Sequence, residues 1–375
     1  MMTSIRLGLV ALATAGLIAG FSGAAVASPV RQGPAPQGAV FVQSDNPSGN
    51  TVVAYQRAAN GTLTPSGSYA TGGVGAALGG SVVDHTASEG SLVYAGGSLF
   101  AVNAGSNTIT SFAVAGDHLI RRQVITSGGQ FPVSIAAHGN LLYVLNARGG
   151  GSIQGYLNTG GYLTPIAGWN RQLGFNPAAT PEFTSTPAQI GFTPDGSKLV
   201  VTTKGDGNSI DVFNVGLFGP APRPAVTPLA GEVPFGFTFD RAGDLALTEA
   251  GTNSVATFRL APNGGASLIS SMPTGQQATC WIIADGGHLY ASNAGSGDLS
   301  IFADNGDGRL VSQGTAATDP GTVDATVTPD GTHLYVQTGA TGTVDEFAVT
   351  PAGGLIKIGS VVVPGAIGGE GIVAL

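Results

Sequence analysis

The sequence predicts an all-β chain folded as a seven-bladed antiparallel propeller, its ring closed by the C-terminal strand. One unit recurs seven times: an apolar strand ending in a small or polar residue, a Gly/Asn/Ser loop, and a second strand ending in an aromatic. The copies begin with Val40-Phe41-Val42, Leu99-Phe100-Ala101, Leu142-Tyr143-Val144, Leu199-Val200-Val201, Leu245-Ala246-Leu247, Leu289-Tyr290-Ala291 and Leu334-Tyr335-Val336. They close on Tyr55, Phe112, Tyr156, Phe213, Phe258, Phe302 and Phe347, spaced 57, 44, 57, 45, 44 and 45 residues apart. A period near 45 built only of strands is what four-stranded propeller blades produce. The first blade lacks an innermost strand, and Gly371-Ile372-Val373-Ala374-Leu375 supplies an apolar one. Pairing the two closes the ring and removes two open sheet edges.

In chain order, residues 1–27 read as a secretion signal. Arg6 gives the positive start, Leu7 to Phe21 the apolar stretch, and Ala25-Val26-Ala27 the small-residue cleavage site. That stretch is shorter than the roughly 20 residues a membrane span needs. Residues 28–37 form a Pro/Gly/Gln tail, and 38–375 the propeller. Innermost strands run into the turns Pro194-Asp195-Gly196, Asp240-Arg241-Ala242-Gly243 and Pro329-Asp330-Gly331. Proline presets φ there, and Asp and Gly accommodate the turn. Outer hairpins turn at Asn60-Gly61, Asp117-His118, Gly160-Gly161, Asn263-Gly264, Asn305-Gly306 and Gly353-Gly354. Two segments break the period: 71–90, with Asp84, His85 and Glu89, and 171–185, with Phe175, Glu182 and two prolines. Long loops in a compact domain are disproportionately functional.

Composition narrows the partners. Charged residues are 10% of the chain and the net charge is −8. An acidic, sparsely charged surface does not suit nucleic acid or anionic lipid. The expected protein is secreted, not inserted in a membrane, and monomeric. Its one cysteine, Cys280, rules out an internal disulfide. No cofactor or metal motif is present: Asp304-Asn305-Gly306-Asp307-Gly308 lacks calcium-loop spacing and reads as a turn. His138, His288 and His333 read as solvated turn residues.

Candidate site residues come from aligning the blades. One ring stands just before the innermost-strand apolar residues: Gly371, Ser91, Ser134, Gln189, Gly236, Cys280 and Asp324. A second closes the next strands: Ser44, Asn103, Asn146, Thr203, Glu249, Asn293 and Thr338. Strand ends on one face of the disc meet at the channel mouth, where pockets form. Glu249 and Asp324 are the carboxylates in these rings and the candidate general bases, since a narrow channel raises a carboxyl pKa. Ser91, Asn103, Ser134, Asn146, Arg148, Gln189, Lys204, Phe235 and Asn293 are the candidate binding residues. Cys280 is expected to be structural and largely buried, with Trp281 wedged between blades.

The repeated Leu-Tyr-Val-x-Asn unit and the Phe-x-Pro-Asp-Gly turns resemble the lactonase-family seven-bladed propellers. These include 6-phosphogluconolactonase and the carboxymuconate-cyclising enzymes. Leu99-Phe100-Ala101-Val102-Asn103-Ala104-Gly105-Ser106-Asn107, Val233-Pro234-Phe235-Gly236-Phe237 and Cys280-Trp281-Ile282-Ile283 look like its secreted bacterial branch. The resemblance implies a hydrolase of a lactone or related ester at the channel mouth. The family's catalytic Pro-Arg-His element has Pro234-Phe235-Gly236 as its best match here, with neither the Arg nor the His, and of its Asn-Glu pair Thr248-Glu249 keeps the acid. The other reading is a non-catalytic extracellular propeller that binds a glycan, a peptide or a cell-envelope partner.

Overall fold

A computed structural model describes residues 38–375; the signal segment and tail read from the sequence lie outside them. Seven antiparallel sheets form the blades, six of four strands and one of five. Blade 1 runs outward through Ile372–Ala374, Gly38–Gln43, Thr51–Arg57 and Leu63–Ala70. The innermost strands of blades 2 to 7 are Leu92–Ala95, Gln130–His138, Gln189–Phe192, Pro234–Phe239, Thr279–Ala284 and Thr322–Val327. Blade 4 has the extra strand because its outer edge is broken into Gly219–Pro220 and Ala225–Pro228.

Closure of the ring follows the sequence reading. Val40, Phe41 and Val42 pair with Ala374, Val373 and Ile372. Gln43 N–H donates to Gly371 O at 2.8 Å, and Leu375 N–H to Ala39 O at 2.8 Å.

The second strand of each blade lies between two neighbouring blades and is buried on both faces, as in Ser98–Asn103. The outermost strands instead alternate, as in Leu63–Ala70. This is the difference between a fully enclosed strand and one with a wet face. The seven closing aromatics are no more than 2% exposed and fill the seams between blades. Burying each contributes roughly 1.5–3 kcal/mol. Two of them also donate across a seam: Tyr55 Oη to Val362 O at 2.8 Å, and Tyr156 Oη to Thr126 O at 2.6 Å.

The turn histidines do more than face solvent. His138, His288 and His333 each lie over a turn glycine of the following blade, Gly196, Gly353 and Gly61. A Cβ at Gly61, where φ is +85°, would fall 2.0 Å from the His333 ring, so both the conformation and the close approach require glycine. His333 is only 8% exposed. The second insertion also starts later than the sequence suggested, because Arg171 still belongs to the strand Tyr162–Gln172. Among the described residues, no helix is long and apolar enough to cross a membrane.

Candidate functional site

The site is built where the first insertion folds down onto the channel axis. Its descending end is held by donors from several blades. Ser134 Oγ donates to Glu89 O at 2.6 Å, Trp281 Nε1 to Ser88 O at 2.6 Å, and Lys204 Nζ to Ala87 O at 2.6 Å. Ser88 Oγ returns a bond to Val133 O at 2.9 Å. The fit is close: a Cβ at Gly339 would lie 1.6 Å from Val83 O, and one at Gly236 would lie 2.0 Å from Glu89 Oε2.

Innermost strands direct residues at this axis through β-bulges. The ladder shifts register between Pro132 and Ser134, Pro234 and Phe237, Thr279 and Trp281, and Thr322 and Ala325. Each irregular stretch contains or ends at a member of the first ring: Ser134, Gly236, Cys280 or Asp324. A bulge breaks strict alternation and re-aims a side chain.

Five carboxyl groups gather there: Asp45, Asp84, Glu89, Asp324 and Glu370, none more than 7% exposed. Burial pushes Asp45 up to about 7, against hydrogen bonds from Glu370 N–H and Gln43. Burial also raises Asp324 to about 7, with Glu370 as a hydrogen-bond partner. Glu89 and Glu370 lie well above the usual range, through burial first and the charge of Asp324 second. Asp84 is raised by burial but held back by Thr86, Ser88 and the charge of Lys204. Lys204 is the cation among them, 1% exposed and at φ +40°, a strained backbone for a side-chain-bearing residue. Burial pulls its ammonium down to about 7, opposed by Asp84, Cys280 and Glu182.

Two cavities open at this mouth. One, of about 260 Å³, is walled by Val83, Phe183, Phe235, Ala294 and Trp281, with Asp84 and Cys280 also on its lining. Phe235 and Trp281 meet edge to face at 5.1 Å, and Lys204 Nζ sits 5.3 Å from the centre of the Phe235 ring. The other, of about 270 Å³, is lined by Gln130, Arg148, Phe175, Asn176, Glu182 and Thr186. Arg148 is paired with Glu182 at 2.6 and 3.0 Å and lies 4.3 Å from the centre of the Phe131 ring. The short helix Glu182–Ser185 contributes to both cavities, Phe183 to the first and Glu182 and Ser185 to the second. Among the described residues, no group of His, Cys, Asp and Glu is arranged to hold a metal ion.

The sequence-predicted residues take three kinds of position. Phe235 and Arg148 line the cavities, with Lys204 beside Phe235. Ser91, Ser134, Gln189 and Asp324 lie on the innermost ring. Ser91 Oγ donates to Glu370 O at 2.7 Å, and Gln189 bridges to the Phe237 backbone at 2.5 and 3.1 Å. Asp324 accepts from Ala325 N–H at 2.7 Å and Ile372 N–H at 3.2 Å.

The second ring fastens loops. Asn103 donates to Thr108, Asn146 to Ser152 and Asn293 to Asp298, while Glu249 accepts from Ser254 at 2.6 Å and from Ser271 at 3.1 Å. Ser44–Thr51, Thr203–Ser209 and Thr338–Thr343 make the same link. In every blade this residue ties the end of the second strand to the start of the third. Asp45, Glu370, Phe183 and the cavity-facing role of Trp281 were not read from the sequence. The one available signal was the first insertion with its acidic residues.

Cys280 is half-buried at the cavity wall, and burial pushes its thiol up to about 12, against the pull of Lys204. At pH 7.5 it should react with a disulfide reagent on the order of 100-fold more slowly than the unfolded chain, since the thiolate is the nucleophile. Labelling as fast as in denaturant would show a free, activated thiol.

No protein-family model matches the sequence, and neither does any curated protein sequence. Solved structures do match. A periplasmic gluconolactonase from Pseudomonas aeruginosa superposes with TM-score 0.70 at 19% identity, over 90% of this chain and 98% of that one. A provisionally assigned 6-phosphogluconolactonase from Bacteroides fragilis gives 0.69 at 20% identity, over 90% and 97%. A virginiamycin B lyase from Staphylococcus aureus gives 0.55 at 13% identity, over 77% and 89%. At this identity the likeness is one of fold.

Proposed function

We propose that this protein is a lactonase-type hydrolase that opens a lactone or related ester in the 260 Å³ cavity at the channel mouth. The observation that carries the reading is the placement of Asp84 on the lining of an apolar cavity, with Lys204 as its electrostatic partner. Hydrolysis needs a base for water and positive charge for the oxyanion. In this reading Asp84 takes a proton from water as it adds to the carbonyl. Lys204 stabilises the alkoxide that develops. Collapse expels the ring oxygen, which recovers the proton. The fold likeness to a gluconolactonase supports the reaction class, and the periplasmic site of that neighbour agrees with residues 1–27 acting as a signal segment.

Asp84→Asn and Lys204→Met should each lower kcat/KM by about 100-fold or more, the usual worth of a positioned base or oxyanion partner. Melting curves check that the variants are folded. Folded wild-type protein that turns over no lactone, or variants that keep full activity, would sink the proposal. One observation favours the second reading, a binding propeller. Asp84 already accepts from Thr86 N–H, Thr86 Oγ1 and Ser88 N–H at 2.7, 2.7 and 2.8 Å. A ligand bound without turnover is its signature.

A further inference from the structure

We infer that the mouth cavity selects a small uncharged lactone carrying an apolar alkyl or aryl substituent, and rejects sugar lactones and phosphorylated ones. This deepens the hydrolase reading and rests on it for the word lactone; the preference for apolar ligands stands on the cavity itself.

The walls are almost wholly carbon, with Phe183, Phe235 and Trp281 as the large surfaces. The polar side chains on the lining are Ser81, Asp84 and Cys280. Ser81 Oγ donates to Leu78 O at 2.9 Å, and both Asp84 oxygens are already acceptors. That leaves one acceptor site on Asp84 Oδ2, the one the water would use, and a thiol, a weak donor, so a ring with several hydroxyls finds few partners. A polyhydroxylated ring would enter with its hydroxyls stripped of water and unpaired. Each such hydroxyl lowers affinity by roughly 5- to 100-fold.

Charge excludes the phosphorylated class. Lys204 shares the axis with five buried carboxyl groups, and Asp84 offsets its charge. The other cation at the mouth, Arg148, is committed to Glu182 and lines the neighbouring cavity. An anion here would give up its hydration against an apolar wall, with Lys204 already matched by Asp84 and donating to Ala87 O. Apolar carbon, by contrast, gains about fourfold in affinity for each methylene buried. The volume of about 260 Å³ sits just below the usual ligand-cavity range of roughly 300–1,000 Å³, so the ligand is small.

The chain has two tryptophans, and Trp169 stacks on Tyr143 outside this cavity, so Trp169→Phe leaves Trp281 as the only indole. Its fluorescence is titrated with γ-butyrolactone, γ-octalactone and glucono-δ-lactone, and turnover of each is followed separately by acid release. The expected result is binding of γ-octalactone about 250-fold tighter than γ-butyrolactone, from four added methylenes, with no response to glucono-δ-lactone. Calorimetric titration of the wild-type chain gives the same ranking should Trp169→Phe fold poorly. Octalactone binding without turnover upholds the cavity preference and overturns the hydrolase reading. Glucono-δ-lactone bound or hydrolysed as well as octalactone overturns the preference and leaves the hydrolase reading standing. Failure of every lactone to bind overturns the preference as well.

Discussion

Truncation before Gly371 lowers the melting temperature by at least about 10 °C, or leaves no folded protein. The five residues removed supply the innermost strand of blade 1, with Ile372 and Ala374 buried at 4% and 7% exposure. Their loss strips the ladder from Gly38–Gln43 and opens a sheet edge in the middle of the ring. It also removes two donors to the seventh blade across the seam: Ile372 N–H to Asp324 Oδ2 and Ala374 N–H to Thr326 Oγ1, both at 3.2 Å. A buried carboxyl left without its donor adds a further cost of about 1–3 kcal/mol. Even Ile372→Ala alone should cost about 2–4 kcal/mol, as large-to-small changes in a packed core do. A domain larger than 250 residues shifts by roughly 2–4 °C per kcal/mol or less, so the truncation combines several such losses. An unchanged melting temperature would falsify ring closure by this strand.

The second large effect is on pH. Stability is expected to fall as pH rises from about 4 to 7. In the folded protein Asp45 and Asp324 keep their protons up to about pH 7, and Glu89 and Glu370 are shifted the same way. In the unfolded chain such groups ionise near pH 4. Between those values the native state binds more protons than the unfolded state, so its stability declines with pH. One group shifted by about three units corresponds to roughly 4 kcal/mol. Above pH 7 the sign reverses for Lys204, which is neutral in the fold above about 7 but protonated in the unfolded chain up to about 10.5. Asp195 and Asp330, held down near 2 by turn hydrogen bonds, act only below about pH 4. Melting curves should therefore place the protein several degrees higher at pH 5 than at pH 7.5, and Asp324→Asn should flatten that slope. A melting temperature that rises over the same interval would mean that the axis carboxyls are ionised in the fold.

Much of the architecture could be read from the chain because propeller blades repeat their chemistry. The closing aromatics, the Pro-Asp-Gly turns and the apolar second strands recur at a fixed period, and each is set by local packing. The first ring was also legible, since it follows from that alignment. The site was less so. Asp45 lies in a loop after Ser44, and Glu370 stands among Gly368, Gly369 and Gly371, where no periodicity marks a residue as buried. Both become interior only when the ring closes and the first insertion descends. Phe183 sits in a single helical turn whose place on the cavity wall comes from tertiary docking alone. The second ring, where Glu249 and the asparagines were read as site residues, shows the converse: a polar residue repeated in every blade serves what every blade needs.

The loop fastenings of that second ring bear on how the protein can be altered. Each ties two strands of its own blade, and none draws on residues 71–90 or 173–188. The scaffold and the insertion-borne part of the cavity lining are therefore separately encoded: the blades hold their loops without help from the segments that carry Asp84 and Phe183, while Phe235 and Trp281 come from the blades themselves. Those two segments could be exchanged for others of similar length while the disc beneath keeps its own fastenings. The propeller is thus a frame that supplies one side of the cavity and leaves the other to be rewritten in two places.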